Sequence, residues 1–215
     1  MRAYLLADEH GNGRYALASL YYDSPDFRCY WEKVDGIRFR RKLRIRRYES
    51  PGAPLTEDTP VFVEIKQRVD RVTQKRRVIL PYGEALRLCN KRQYSGSRLR
   101  RRMKRWWMKS TPISGSTTCV PSASCVMSVR RSSAPSTISA CASRLIFSLS
   151  YQVHQLRLDE EASSLPMISP DRVVMEIKVN ERIPYWLTEM IAAHNLKMIR
   201  ISKYCRSIEL RKRAR

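Results

Sequence analysis

The chain has 215 residues, with 42 lysines and arginines against 20 aspartates and glutamates, a formal net charge of +22. Such a surplus repels itself unless an anion sits against it, so nucleic acid, polyphosphate, nucleotides or an anionic membrane are the expected partners. No apolar run reaches the length of a membrane span, the apolar stretch in Met1–Asp8 is too short for a secretory signal, and the six cysteines hold no Cys-x-x-Cys pair, which excludes a structural zinc site and makes the cytoplasm the expected compartment.

Taken in order, the first element is a strand, Tyr15-Ala16-Leu17-Ala18-Ser19-Leu20-Tyr21-Tyr22, after the turn signal His10-Gly11-Asn12-Gly13. Asp23-Ser24-Pro25-Asp26 reads as the cap of a short helix, with Pro25 near its first turn. Asp35-Gly36 turns the chain into a second strand, residues 37–48. Side chains alternate faces along a strand, so Arg38, Arg40, Lys42, Arg44 and Arg46 share one face. Phe39, Leu43 and Ile45 take the other, with Arg41 the exception. In Pro60–Lys66, Val61, Val63 and Ile65 share a face opposite Glu64 and Lys66. A strand at 74–80 carries Lys75, Arg76 and Arg77 near its start.

The texture then changes. Residues 85–158 contain no carboxylate and 14 of the basic residues, including Arg100-Arg101-Arg102 beside Trp106-Trp107. From Ser110 to Ser150 there are 13 serines and three cysteines, and no period of 2 or 3.6 persists. A disordered basic linker and a stretch translated out of frame are the competing readings; the cysteines and the Trp pair favour the second. No chemistry is assigned to residues 90–150, which separate residues 1–89 from 151–215, two parts of one domain.

Beyond the break, residues 172–180 form a strand with Val173, Met175, Ile177 and Val179 on one face and Glu176 and Lys178 on the other. Glu-Ile-Lys thus occurs twice, each time late in an apolar strand. Residues 184–194 read as a helix with Pro184 at its first turn and Leu187, Met190, Ile191 and His194 on one stripe, where His194 is a helix-face residue with no ligand role. Ile199–Tyr204 leads into a short helix with Ser202 as N-cap.

An ordinary half-exposed sheet explains such strands, but exposed faces usually mix signs, and the face from Arg38 to Arg46 has five cations and no carboxylate. Rolled into a closed barrel, that face lines a lumen. Two cations about 6 Å apart repel by roughly 3 kcal/mol at an effective dielectric near 20, a cost that a bound polyanion turns into attraction.

Ser19–Ser24, Asp35-Gly36, Lys42–Tyr48, Val63–Lys66, Met175–Lys178 and Ile201–Tyr204 together resemble the VTC domain, the polyphosphate polymerase module of the triphosphate tunnel metalloenzymes. The resemblance implies an α+β fold: a closed antiparallel β-barrel around a triphosphate-binding tunnel, with flanking helices. It implies phosphate-binding roles for Arg44, Arg46, Lys66, Lys75, Lys178, Arg200, Ser202 and Lys203. It makes Glu176, with Glu64 second, a ligand for Mn²⁺ or Mg²⁺. The implied activity is transfer of the terminal phosphoryl group of ATP to a polyphosphate chain. The tunnel strand and helix that open the family domain, and two arginines expected within the serine-rich stretch, are not matched, so the barrel is expected to be incomplete and the activity impaired. A tripolyphosphate hydrolase on the same barrel and a basic nucleic-acid-binding protein are the alternatives.

Overall fold

The structure, a computed structural model, describes residues 6–7, 14–49, 54–91, 120–133, 141–154, 156–158, 164–179 and 182–213. Nine strands form one antiparallel sheet: β1 (Leu6–Ala7), β2 (Arg14–Asp23), β3 (Phe39–Glu49), β4 (Pro60–Val69), β5 (Val72–Pro81), β6 (Val120–Ser133), β7 (Cys141–Gln152), β8 (Leu165–Pro166) and β9 (Val174–Val179). The order is β5-β4-β3-β2-β6-β7; β1 pairs with the end of β6, while β8 and β9 pair with different lengths of β7. Among the described residues four helices accompany it: α1 (Arg28–Val34), α2 (Tyr82–Lys91), α3 (Tyr185–Ala193) and α4 (Lys203–Arg213).

One face of the sheet buries the aliphatic sides of β3, β4 and β5. Leu43, Ile45, Val61, Val63, Ile65, Val78 and Leu80 pack against Tyr82, Ala85, Leu88 and Cys89 of α2. The α2 residues recur at helical spacing, so one stripe closes this core. On the opposite face a second core covers only half of the sheet. Leu17, Tyr21, Ala123, Cys125, Met127, Val129, Ile146, Leu149 and Tyr151 from β2, β6 and β7 meet Cys29 and Tyr30 of α1 and Tyr204, Cys205 and Ile208 of α4. On that same face β3, β4 and β5 carry Lys42, Arg44, Arg46, Glu64, Lys66, Lys75 and Arg77, in line with the alternation of a strand.

Several expectations change. The helix expected directly after Asp23–Asp26 begins at Arg28, behind Phe27 in a left-handed conformation (φ 58°). Its first amides are still held by the expected side chains. Asp23 accepts Cys29 N–H at 2.8 Å and Tyr30 N–H at 3.1 Å, and Ser24 Oγ accepts Arg28 N–H at 3.0 Å. Residues 199–202 are irregular and lead into α4, with Ser202 as its expected cap, the Oγ accepting Cys205 N–H at 3.3 Å. Helix α2 was not among the expected elements.

The stretch 90–150 supplies β6 and most of β7. Physically, β6 sits between β2 and β7 and alternates Ala123, Cys125, Met127 and Val129 toward the second core. The sheet is also not closed. Among the described residues no pairing joins β5 to β8 or β9, so the family's closed barrel is not formed and the sheet stays open. The His10–Gly13 turn, the Arg100–Trp107 run and Cys119 lie outside the described residues. Among the described residues no helix is long and apolar enough to cross a membrane.

Candidate functional site

Registry arranges the polar face in rows. Tyr21 of β2 lies opposite Arg44 of β3, Arg44 opposite Glu64 of β4, and Glu64 opposite Arg77 of β5. One step along, Lys42, Lys66 and Lys75 stand directly opposite one another, three ammonium groups across three strands. One step the other way, Ser19, Arg46, Phe62 and Ile79 make the third row. Like charges directly opposite destabilise a sheet, so the lysine row is a place where this fold gives up stability.

Glu64 is the counter-charge within the wall. Its carboxylate is only 2% exposed; Oε2 accepts Arg44 Nε at 2.8 Å and Nη2 at 2.6 Å, while Lys75 and Arg77 approach Oε1, each at 3.7 Å. Arg44 also donates to Tyr21 Oη at 3.2 Å, and Arg46 Nε to Ser19 Oγ at 3.1 Å. These bonds fix the two guanidinium groups in place on the sheet.

The C-terminal residues come to the same face. Lys42 Nζ donates to Ser202 Oγ at 2.6 Å and lies 3.3 Å from Cys205 Sγ, so the start of α4 rests on the lysine row. Helix α4 is fixed there by Tyr204, which stacks on Tyr21 and donates its hydroxyl to Asp23 Oδ2. Asp23 thus ties α1 and α4 to the end of β2.

β9 brings Glu176 opposite Arg144 of β7, with Lys178 Nζ 3.6 Å from the Glu176 carboxylate. Although β9 and β4 stand toward opposite ends of the strand order, their charges act on one another. The Lys66 ammonium is pushed below its ordinary pKa by partial withdrawal from water, then by Arg44, Lys42 and Lys178, against the pull of Glu176. Lys75 is lowered by the same withdrawal and by Arg77, Lys178 and Arg44, against Glu64. The sheet therefore curves until β9 faces the lysine row.

The field in this concavity has one sign. Burial works to raise Glu64, Glu176 and Tyr21, yet all three sit below their ordinary values. Arg44 is the main cationic cause for Glu64 and for Tyr21, and Lys178, Lys203, Arg144 and Lys66 act together on Glu176. Burial followed by the Arg44 charge lowers Arg46 as well. Acids lowered against burial mark concentrated positive potential; Lys66, Lys75 and Arg46 are lowered first by burial, and Arg44, beside Tyr21 and Glu64, is raised.

Of the residues expected from sequence, Arg44, Arg46, Lys66, Lys75, Lys178, Ser202, Lys203, Glu64 and Glu176 lie on or against this face. Arg200 is exposed ahead of α4, and no hydrogen bond or ion pair joins it to the others among the described residues. Four participants were not among the expected site residues. Lys42 was already on the cationic face. Arg77 shares the alternation of Lys75 two residues before it. Tyr21 looked like core, and Arg144 lies in the stretch given no chemistry.

The carboxylates differ in their fitness for a divalent cation. Both oxygens of Glu64 are engaged by cations, which suits a structural counter-charge. Among the described residues Glu176 has one ion pair, at 3.6 Å, and is partly open, so it fits as one oxygen ligand. Among the described residues no three His, Cys, Asp or Glu side chains come together, and a hard cation here would take its remaining oxygens from phosphate and water.

A family model described as VTC domain matches residues 1–119 and 124–212. No curated protein matches the chain.

Proposed function

The chain belongs to the VTC domain family, and on that premise we propose that the curved sheet is the wall of a phosphate-binding tunnel, where the terminal phosphoryl group of ATP passes to a polyphosphate chain. The observation that carries this reading is the row Lys42–Lys66–Lys75 with Lys178 acting on it from across the concavity. Four ammonium groups against two acids, Glu176 beside Lys178 and Glu64 beside Lys75, keep an excess of positive charge that is repulsive when empty and attractive to a linear polyanion.

The division of labour follows from the contacts. Arg44 and Arg46, held by Glu64, Tyr21 and Ser19, present rigid guanidinium forks to phosphate oxygens. The lysines supply mobile point charges for a chain that must slide after each addition. Ser202 and Lys203 at the start of α4 close one side. In the reaction the bond from the bridging oxygen to the terminal phosphorus of ATP breaks, ADP leaves with that electron pair, and a terminal oxygen of the acceptor chain forms the new phosphoanhydride. No protein nucleophile is needed; positioning and charge neutralisation are what this wall contributes. Mn²⁺ or Mg²⁺ held by Glu176 would neutralise phosphate charge.

The test is binding first, then product. Tripolyphosphate should raise the melting temperature, and Arg44→Ala with Arg46→Ala should remove the shift. Lys66→Ala with Lys178→Ala, both outside the cores, should do the same without loss of fold. ATP with Mn²⁺ should yield long-chain polyphosphate. Free phosphate alone would assign hydrolysis instead, and RNA binding that survives these substitutions, with no tripolyphosphate shift, would overturn the proposal.

A further inference from the structure

Beyond the third row the character of this face changes. Tyr48 lies two residues past Arg46 on the same face of β3, its ring centroid 5.5 Å from Phe62 of β4, edge to face, and 5.6 Å from Tyr15 of β2. Ile79 of β5 stands opposite Phe62. Tyr48 is 39% exposed and Ile79 55% exposed, although both are on the face that elsewhere is a cationic site or a covered core. Arg77 joins the two regions: its guanidinium lies 5.0 Å over the Phe62 ring and 3.7 Å from Glu64. One face of Phe62 is thereby taken by a cation, leaving the Tyr48 ring as the open aromatic surface.

We propose that Tyr48, with Phe62, Tyr15 and Ile79 around it, is the platform for the nucleobase of the bound nucleotide, which fixes the direction of the substrate on the sheet. This rests on the phosphate reading above and adds to it a base-stacking site and a polarity. Strand geometry sets the spacing. At about 3.4 Å per residue, Arg46 is about 7 Å and Arg44 about 14 Å from Tyr48 along β3. That matches the reach of an extended nucleoside triphosphate from base to terminal phosphates. The base lies on Tyr48, the inner phosphates pass Arg46, and the terminal phosphate comes to Arg44, with the row of Lys42, Lys66 and Lys75 next beyond it to receive the acceptor chain. The acceptor chain then approaches from the Arg40–Arg68 end of the face, away from the aromatic cluster. The platform has a π surface with apolar flanks and suits a purine, the base with the larger stacking area.

The experiment compares ATP with tripolyphosphate by calorimetric titration of the full chain, unaltered and as Tyr48→Ala and Tyr48→Phe. Base stacking on an aromatic side chain contributes enough that Tyr48→Ala should weaken ATP about tenfold and leave tripolyphosphate unchanged within about twofold, while Tyr48→Phe, which keeps the ring, should bind both as the unaltered chain does. Equal losses for both ligands in Tyr48→Ala, or no loss for ATP, overturn the base platform while the phosphate site stands. Failure of tripolyphosphate to bind the unaltered chain overturns the phosphate site and the platform together. Should Tyr48→Ala fail to fold, Ile79→Asp decides: it puts a carboxylate beside the platform and should weaken ATP more than tripolyphosphate, and an equal effect on the two rejects the proposal.

Discussion

Arg44 places both Nε and Nη2 on one oxygen of Glu64, at 2.8 and 2.6 Å, while the other oxygen of that carboxylate faces Lys75 and Arg77. A single buried acid therefore holds three cations on three residues of two neighbouring strands. Its removal leaves a partly buried guanidinium without its partner, which is the costly way to break such a pair.

Glu64→Gln should accordingly destabilise the unliganded chain by about 3 kcal/mol, read as a lowered denaturation midpoint. With its cations released, the variant should gain a larger melting-temperature shift from tripolyphosphate than the unaltered chain. A stable variant with an unchanged shift would show that Glu64 does not organise the face.

The lysine row predicts the opposite sign. Lys66→Met removes the middle ammonium between Lys42 and Lys75. Solvent reaches this position, so the relief is small, about 0.5–1 kcal/mol of added stability without ligand, and the tripolyphosphate shift should shrink. Raising salt should stabilise the unaltered chain and leave Lys66→Met less affected, since screening acts on the same repulsion. Chemical denaturation at two salt concentrations checks both; a variant that loses stability contradicts the repulsion.

Acid should unfold the chain through its paired carboxylates. The folded pKa values of Glu64 and Glu176 lie below the unfolded value for glutamate. Their contribution is complete above that unfolded value, about 4.3, and is lost as pH falls through the depressed folded values. Stability measured between pH 6 and pH 2.5 should hold above about pH 5 and then drop. Glu176→Gln should make the drop shallower, and an unchanged slope would place Glu176 outside the cationic field.

Tyr204→Phe removes the hydroxyl that donates to the buried Asp23 carboxylate. A lost hydrogen bond to a charged group costs about 1.5–3 kcal/mol, so the denaturation midpoint should fall. The N-terminal amides of α1 share that carboxylate, so amide exchange at Cys29 and Tyr30 should quicken more than across β4. Burial, with the charge of Asp23 beside it, pushes the Cys29 thiol far up, and burial pushes Cys125 up to about 11. Both should resist alkylation at pH 8 in the native chain; prompt labelling of either would show a looser core.

How much of this was legible in the residues depended on whether one face of a strand met water. In β3 the cationic face is open and the aliphatic face buried, so Arg44 and Arg46 separate cleanly from Leu43 and Ile45, and the two Glu-Ile-Lys strands read the same way. β6 is different: Ser122 and Ser124 are buried as fully as Ala123 and Cys125, which leaves no polar face to mark the alternation. Its apolar period also runs only from Ala123 to Val129, within serine-rich surroundings. The contribution of Arg144 depends on the pairing of β7 with β9, a long-range fact absent from local pattern. Tyr21 gave the signal of core because it is core on one side, and its hydroxyl reaches Arg44 only at the border between the second core and the cationic face. Whether the sheet closes was not legible in the strands themselves: strand patterns report faces, while the meeting of edge strands depends on twist and strand number.

Among the described residues β5 and β9 are not joined, and on the phosphate reading proposed above that seam bears on how a long substrate gets in. A sealed cylinder admits a polymer only by its end, and each molecule must be threaded through the bore. A trough with one side open lets a phosphate strand be laid in broadside at any point along its length, so chains whose ends are blocked or bound elsewhere should still be captured.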